Sequence, residues 1–396
     1  MKTQGLSFYM KCTGNLLMHV ILFISYLTPR NKNKWLVGNA RGFNNNTKYF
    51  FIHAKEVLQM KDCYWICKNK RYRTEIQQLG YKAYHPWSLV GLYHLLTAKV
   101  YVYDSHISAL NFWTSGRVKK VNLWHGVGIK NIEYKVQIKN EEQENWLNYL
   151  RRPVNYVHPD LFLSTSPMMT KHFAECFRIP EIRCIESEYP RCAIFKKTQE
   201  ELLSFISTYE NKETQKLAER LNEASRSYIY MPTWREGNDD FLKKAGFDLQ
   251  AMENVLKEKN ELFLFKLHPF TRITVDTSTY KHILFIDNKM DIYPLLPFTD
   301  VLVTDYSSIY YDYLLMPNKE ILLFPFDYKE FIASEHDLAF DFDEYTPGAR
   351  VYTFTDMLEA IRSGQHFIND KKQWIMDVFW KSNRMEDLYQ AISSRL

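Results

Sequence analysis

His125 closes a short apolar run in the stretch VNLWHGVGIK, Val121 to Lys130, and is followed by Gly126, Gly128 and Lys130. An imidazole at the end of a buried strand can accept or give a proton near neutral pH. The glycines let the backbone approach a ligand closely, and the lysine offers a compact charge for a phosphate. A second histidine repeats the placement: LFLFKLHPF sets His268 after another buried run, with Pro269 ending the strand. Lys266, two residues earlier, projects to the same side as His268 by strand alternation. The plain alternative for either histidine is a packed ring in a tight turn.

Three further segments complete the chemistry. In VLVTDYSSIYYDYLL a strand over Val301–Thr304 leads through Asp305, Tyr306, Ser307 and Ser308 into a helix expected to start near Ser308. Free N–H groups at that start, the helix dipole and two hydroxyls would suit an anion, unless Asp305 or Ser307 merely caps the helix. Asp312, two helical turns beyond Asp305, is expected to anchor the loop or a ribose. YIYMPTWRE presents Thr233, Trp234 and Arg235 after a strand ending at Pro232, and EYPRCAIF presents Arg191 after a Tyr-Pro pair. An arginine fork matches phosphate oxygens, and an aromatic ring can stack on a base. The basic stretch KNKRYR, Lys68 to Arg73, reads as a solvated loop or a contact for a polyanion or lipid headgroups.

These motifs need strand ends to hold them. Apolar, β-rich runs occur at Trp35–Val37, Tyr64–Cys67, Val100–Tyr103, Val121–Leu123 and Leu161–Leu163, then at Tyr228–Met231, Leu262–Leu267, Ile283–Ile286, Val301–Thr304 and Ile321–Phe324. Helix-compatible stretches separate them. That alternation predicts an α/β chain with one parallel sheet in each half, hence two Rossmann-like domains with ligands at the carboxyl ends of the strands. The polar, helix-forming stretch from Lys196 to Arg226 places the boundary between the two halves near residues 192–200. Lys135 to Leu150 is charged and reads as a helical insertion.

Composition narrows the class. With 46% hydrophobic and 24% charged residues in 396, the chain is globular, and only 13 glycines exclude collagen-like or glycine-rich architectures. The 51 basic against 46 acidic residues leave +5, too small an excess to make nucleic acid a partner, whereas an anionic membrane surface or a phosphate-rich substrate fits. Six dispersed cysteines without a CxxC pair predict no zinc site and a reduced compartment. The apolar run Leu16–Leu27 is shorter than the ~20 residues a spanning helix needs and lacks a small-residue cleavage site. Flanked by Lys11, Arg30, Lys32 and Lys34, it reads either as a helix lying in an anionic headgroup layer or as a buried first helix.

Taken in order and at their intervals, WHGVGIK, YPR, MPTWRE, KLHP and TDYSSIYYDY resemble the signature set of the CDP-glycerol glycerophosphotransferase family, the teichoic-acid primases and polymerases also found as capsule polymerases. The likeness extends upstream over Asn31–Phe51 and downstream through Phe324–Tyr328 to Pro347-Gly348. It implies a GT-B architecture, two Rossmann-like domains facing a central cleft. On this basis residues 1–30 form a membrane-associating segment, 31–195 the acceptor domain and 196–396 the CDP-donor domain with terminal helices. It also implies peripheral attachment at the cytoplasmic face of the cell membrane. The implied reaction carries polyol phosphate from CDP-glycerol or a related CDP-polyol to a lipid-linked, oligosaccharide or polymer acceptor, with CMP released.

His125 and His268 match the family's two catalytic histidines, and Ser307 and Ser308 its donor-phosphate loop. Around them Gly126, Lys130, Arg191, Thr233, Trp234, Arg235, Lys266, Asp305 and Asp312 form the expected substrate-binding set. No resident cofactor is expected, and Mg2+ would accompany the donor pyrophosphate. The chain departs from the family pattern at Cys192-Ala193, where Asn-Asp is usual, and at His336-Asp337, where Arg-Gly is usual. Two other readings stay open at this stage: a GT-B glycosyltransferase using another nucleotide-sugar, and a non-catalytic GT-B module that binds the polymer.

Overall fold

A computed structural model describes residues 2–136, 149, 152–235, 240–268, 271, 273–333, 338–380 and 388–395. Each predicted apolar run is a strand, and the strands form two all-parallel sheets. The first has the order β3-β2-β1-β4-β5-β6-β7, from β1 (Asn31–Val37), β2 (Cys63–Ile66), β3 (Ala83–Tyr84), β4 (Ala98–Tyr103), β5 (Lys119–Asn122), β6 (Leu161–Ser164) and β7 (Cys184–Glu186). The second has the order β10-β9-β8-β11-β12-β13, from β8 (Ser227–Tyr230), β9 (Leu262–Phe265), β10 (Ile283–Phe285), β11 (Val301–Thr304), β12 (Glu320–Leu323) and β13 (Ala349–Arg350). The pairs and triplets β3, β7 and β13 lie at or beside sheet edges and carry too few apolar residues to be read from sequence.

Central strands such as β9 (LFLF) and β11 (VLVT) are buried throughout, as expected where helices cover both faces. Strand order reverses between β1 and β4 and again between β8 and β11. At such switch points the loops leaving adjacent strands diverge and open a crevice. Those loops hold Asn39 and Asp104 in the first sheet, and Thr233 and Asp305 in the second.

The chain divides into one unit of Met1–His125, Asn131–Arg191 and Lys381–Leu396 and another of Gly126–Lys130 and Cys192–Trp380. The division differs from the expected 31–195 and 196–396 because the last helix, Leu388–Ser394, packs on the first unit, where the Tyr389 ring stacks on Trp35. It also falls inside the first motif, between His125 and Gly126. The polar stretch after the boundary folds as helices Gln199–Tyr209 and Lys212–Glu223, the first opened by a Thr198–Glu201 capping box. The expected insertion at Lys135–Leu150 and the His336-Asp337 pair lie largely or wholly outside the described residues.

The N-terminal apolar run belongs to a helix, Lys2–Leu27, that satisfies both readings in part. Ser25 is fully buried, Leu22 packs on the first unit's core and His19 meets Trp113 edge-on, while Leu16, Leu17, Val20, Phe23 and Leu27 are exposed. Ser25 lies so close to Gly116 that a side chain there would strike its Oγ and the Tyr26 backbone, so glycine is required by close approach. No helix among the described residues is long and apolar enough to cross a membrane.

The basic flank is a correction. The Arg30 guanidinium donates to the carbonyls of Ser25, Leu95, Ala98, Thr114 and Gly116, and Lys34 is buried with its Nζ 2.8 Å from Thr97 Oγ1. Both cations bind the protein's own oxygens and cannot meet headgroups; Lys32 alone of the three is exposed. The KNKRYR stretch is likewise structured: Asn69 caps the helix Lys70–Gln78, Arg71 pairs with Glu75, and Arg73 donates to the carbonyls of Cys67 and Lys68.

Candidate active site

In the first unit the loop after β5 is built around His125. Trp124 takes a left-handed backbone conformation with φ of 50°, uncommon for a bulky residue, and the surroundings hold it there. Its N–H donates to Asn122 Oδ1 at 2.9 Å and its carbonyl accepts from Asn46 Nδ2 at 2.9 Å. The turn aims the His125 ring so that Nδ1 lies 2.8 Å from the Asp104 carbonyl oxygen. A carbonyl only accepts, so Nδ1 carries the proton and Nε2 of the neutral ring is left as a base.

Burial is the main force on this histidine and lowers its pKa to about 4, against a partial opposing effect of the Asp104 carbonyl. Arg41 and Arg191 add smaller downward pushes. Part of the residue stays accessible, so it is covered by protein without being sealed off. The Asp104 carboxyl is buried, which raises its pKa to about 7; it accepts from Asn39 Nδ2 at 2.7 Å and Thr47 Oγ1 at 3.3 Å.

Arg191 corrects an expectation. It is buried, and its Nη1 donates to Asn45 Oδ1 and to the His125 carbonyl at 2.8 Å. Its backbone N–H reaches Asn46 Oδ1 at 3.3 Å. Through Nη1 the guanidinium expected to hold phosphate ties the histidine turn to the start of the helix Asn45–Glu56. Cys192, where the family usually has Asn, is fully buried beside it.

In the second unit Arg235 is also committed internally. Its Nε and Nη2 engage Asp327 at 2.7 and 2.9 Å, and Nη2 reaches Asp305 at 2.8 Å. Burial opposes the guanidinium charge, but Asp305 and Asp327 outweigh it and raise its pKa. Asp305 is fully buried and accepts from the N–H groups of Thr233 and Tyr306 at 2.8 and 2.6 Å. The triad therefore clamps the MPTWR loop onto the TDYSS loop; it does not present a free fork or carboxylate. Glu236, the last residue of the former motif, lies outside the described residues.

Asp312 is buried as well, with Oδ2 2.5 Å from the Tyr293 hydroxyl, so it ties helix to loop, the first of the two roles expected of it. The helix it sits on, Ile309–Leu314, has six residues and no side-chain cap. Neither Asp305 nor Ser307 caps it. Ser307 and Ser308 are half-buried, and neither hydroxyl has a hydrogen-bond partner among the described residues. Thr233 Oγ1 is buried without one as well.

Lys130 belongs to this unit, with Nζ 5.1 Å over the Phe331 ring and its backbone bridged to Leu338. Burial lowers its pKa to about 8, opposed by the nearby Asp305. Gly126 opens the same short segment. Lys266, also lowered to about 8 chiefly by burial, donates to the Asp287 carbonyl at 2.7 Å. His268 is half-buried, and its ring centre lies 5.6 Å from that of Trp234, tilted by 42°. Pro269 lies outside the described residues.

The structure thus groups His125 with Arg191, and Thr233, Arg235, Asp305 and Lys130 with one another, and sets Trp234 on His268. Sequence reasoning passed over Asp104, Asn45 and Asn46. The signal available was the asparagine run Asn44–Asn46 in the loop after β1, at a switch point. Among the described residues no group of three His, Cys, Asp or Glu side chains converges as a metal site.

Known proteins share this architecture. The wall teichoic acid polymerase TagF superposes with a TM-score of 0.73 at 16% identity, covering 100% of this chain and 97% of that one. A UDP-GlcNAc 2-epimerase from Methanocaldococcus jannaschii reaches 0.50 at 9% identity, covering 91% and 99%. These likenesses establish an α/β fold of two Rossmann-like units, the GT-B class. In sequence, a teichoic acid poly(glycerol phosphate) polymerase of Bacillus spizizenii is 25% identical over 368 residues, 89% of each chain. A teichoic acid ribitol-phosphate primase of the same organism is 25% identical over 273 residues, 68% of this chain and 67% of its own. The pattern of the CDP-glycerol:poly(glycerophosphate) glycerophosphotransferases matches residues 21–387, and the chain belongs to that family.

Proposed function

We propose that the protein transfers glycerol phosphate, or a related polyol phosphate, from its CDP-linked donor to a hydroxyl of a growing polymer or lipid-linked acceptor in the synthesis of a teichoic-acid-like or capsule polymer. Family membership and the poly(glycerol phosphate) and ribitol-phosphate relatives support the reaction class. One observation carries the chemistry: the 2.8 Å contact of His125 Nδ1 with the Asp104 carbonyl leaves Nε2 as an acceptor. The acceptor hydroxyl attacks the β-phosphorus that bears the polyol, its proton passes to Nε2, and the phosphoanhydride bond breaks to release CMP. Burial keeps the ring neutral at pH 7, so the Nε2 lone pair is not already protonated.

In this reading Ser307, Ser308 and Thr233 donate to the donor phosphates, while His268, Lys130 and Lys266 stabilise charge that develops on them. Trp234 offers a face to the cytosine base. Any Mg2+ accompanies the donor pyrophosphate. The exposed apolar face of the helix Lys2–Leu27 lies on an anionic membrane, placing the protein at the cytoplasmic face where a lipid-linked acceptor is available. The helix Leu89–Thr97, joined to it through the Arg30 bonds, adds Leu89, Val90 and Tyr93 as further exposed apolar side chains.

The test is incubation of the purified protein with CDP-glycerol, CDP-ribitol and nucleotide-sugars, each with lipid-linked and oligomeric acceptors. CMP release and products growing by polyol phosphate units in mass spectrometry are expected. Turnover of a nucleotide-sugar alone would overturn the reading.

A further inference from the structure

The strands of the first sheet are parallel, so their N-terminal ends gather on the edge away from His125. At that edge the first unit holds a cavity of about 840 Å3, within the range of small-ligand sites. Lys32 and Asn33 line it from the start of β1, Asp62 from the residue before β2, and Lys99 from the second position of β4. Because β4 runs for six residues at ~3.3 Å each, the cavity is roughly 20 Å from the strand ends that carry the histidine loop.

The lining is cationic with an aromatic floor. Lys32, Lys61 and Lys99 have no ion-pair partner among the described residues. The one acid, Asp62, already accepts from the Tyr64 hydroxyl at 2.8 Å. Trp35 and Tyr389, both in the lining, stack with ring centres 4.9 Å apart, and behind them Phe50, outside the lining, meets Tyr389 at 5.1 Å. The three lysines come from β1, its neighbour β4 and the approach to β2 on the other side, so adjacent-strand spacing sets their backbone positions over about 10 Å. Lysines bind phosphate as point charges without fixing its orientation. Separated charges over an apolar floor match an anion whose phosphates are spaced along a carbon chain, better than one compact phosphate cluster.

We infer that this cavity is a second binding site, for a phosphodiester-linked polyol chain, distinct from the site of transfer. The inference rests on the polyol-phosphate transfer proposed above. Phosphates of the growing polymer sit on Lys32, Lys61 and Lys99, and the carbons between them lie against Trp35 and Tyr389. Such a site retains the polymer between additions.

The experiment titrates the full chain with a synthetic glycerol phosphate decamer, with CMP and with phosphatidylglycerol vesicles, as wild type and as the triple variant Lys32→Gln, Lys61→Gln, Lys99→Gln. Decamer binding is expected to weaken with salt and to fall at least about tenfold in the variant. CMP release onto a one-unit acceptor is expected to stay near wild type while products shorten. In the wild type the decamer is expected to shield Lys61 and Lys99 from acetylation, read by mass spectrometry, a measurement that stands even if the variant fails to fold. Unchanged decamer affinity, absent shielding, or a loss confined to CMP or to vesicles would overturn the site. Binding is read without turnover, so a wild type that releases no CMP would overturn the proposed transfer separately.

Discussion

His125 Nδ1 and the Asp104 carbonyl oxygen, 2.8 Å apart, join the loop after β5 to the loop after β4. The contact selects the tautomer, and burial brings the pKa to about 4, well below an ordinary imidazole. His125→Ala should lower kcat by about 10²–10⁴-fold with little change in donor affinity. Wild-type kcat/KM should show no His125 inflection near ~6.5, because that group is already neutral there. A limb near that pH that disappears in His125→Ala would contradict the assignment.

Asp104 and His125 oppose each other in the pH dependence of stability. The folded pKa of Asp104 is raised to about 7, so its contribution is present in acid and lost as pH rises from the unfolded value toward 7. His125 has a lowered folded pKa, so its contribution is present above ~6.5 and lost as pH falls toward 4. Asp104→Asn should leave only the second trend. Urea unfolding between pH 5 and 7.5 should then show stability rising with pH more steeply in the variant than in the wild type. Parallel curves would mean that Asp104 is ionised when folded.

Arg191 acts on the histidine turn through Asn45 and the His125 carbonyl. Arg191→Lys keeps a charge but loses the fork, and should lower kcat about tenfold or more while the KM for the donor stays within about twofold. A rise in donor KM with kcat preserved would restore the phosphate-binding role read from sequence.

Ser307 and Ser308 do not cap their helix, so replacing both by Ala should leave the melting temperature nearly unchanged. Each hydroxyl bonded to a charged phosphate is worth ~1.5–3 kcal/mol, so donor affinity should fall by more than about tenfold. Isothermal titration with CDP-glycerol distinguishes the two effects; intact affinity would remove the serines from the donor site.

Arg235 stands between two buried carboxylates, and its removal strands both. Arg235→Ala should cost about 3–5 kcal/mol of stability in denaturant titrations. A variant of wild-type stability that merely lost donor affinity would show that the arginine serves the phosphate directly.

At the N-terminus, apolar contact should matter more than the flanking charges. Replacing Phe23, Ile24 and Leu27 by Ser should release the protein from anionic vesicles in a pelleting assay. Lys34→Glu should instead lower the melting temperature, because Lys34 is buried against Thr97. Undiminished pelleting of the triple serine variant would exclude this face as the attachment.

Much of the architecture is written locally. Apolar runs of strand length, separated by helix-compatible stretches, determine parallel sheets because only crossover helices can join such strands, and that alone puts His125 and His268 just past strand ends. The order of five short motifs likewise identifies the family without coordinates. What the cations bind was not local. Arg191 meets Asn45 across 146 positions, Arg235 meets Asp327 across 92, and Arg30 meets Gly116 across 86. A guanidinium suits a phosphate, a carboxylate and a carbonyl alike, so the residue type leaves its partner open. Only the packing of distant segments decided that these three arginines hold the protein together, while the hydroxyls of Ser307 and Ser308 have no partner among the described residues and Lys32 and Lys61 stay exposed at the far end of the first sheet.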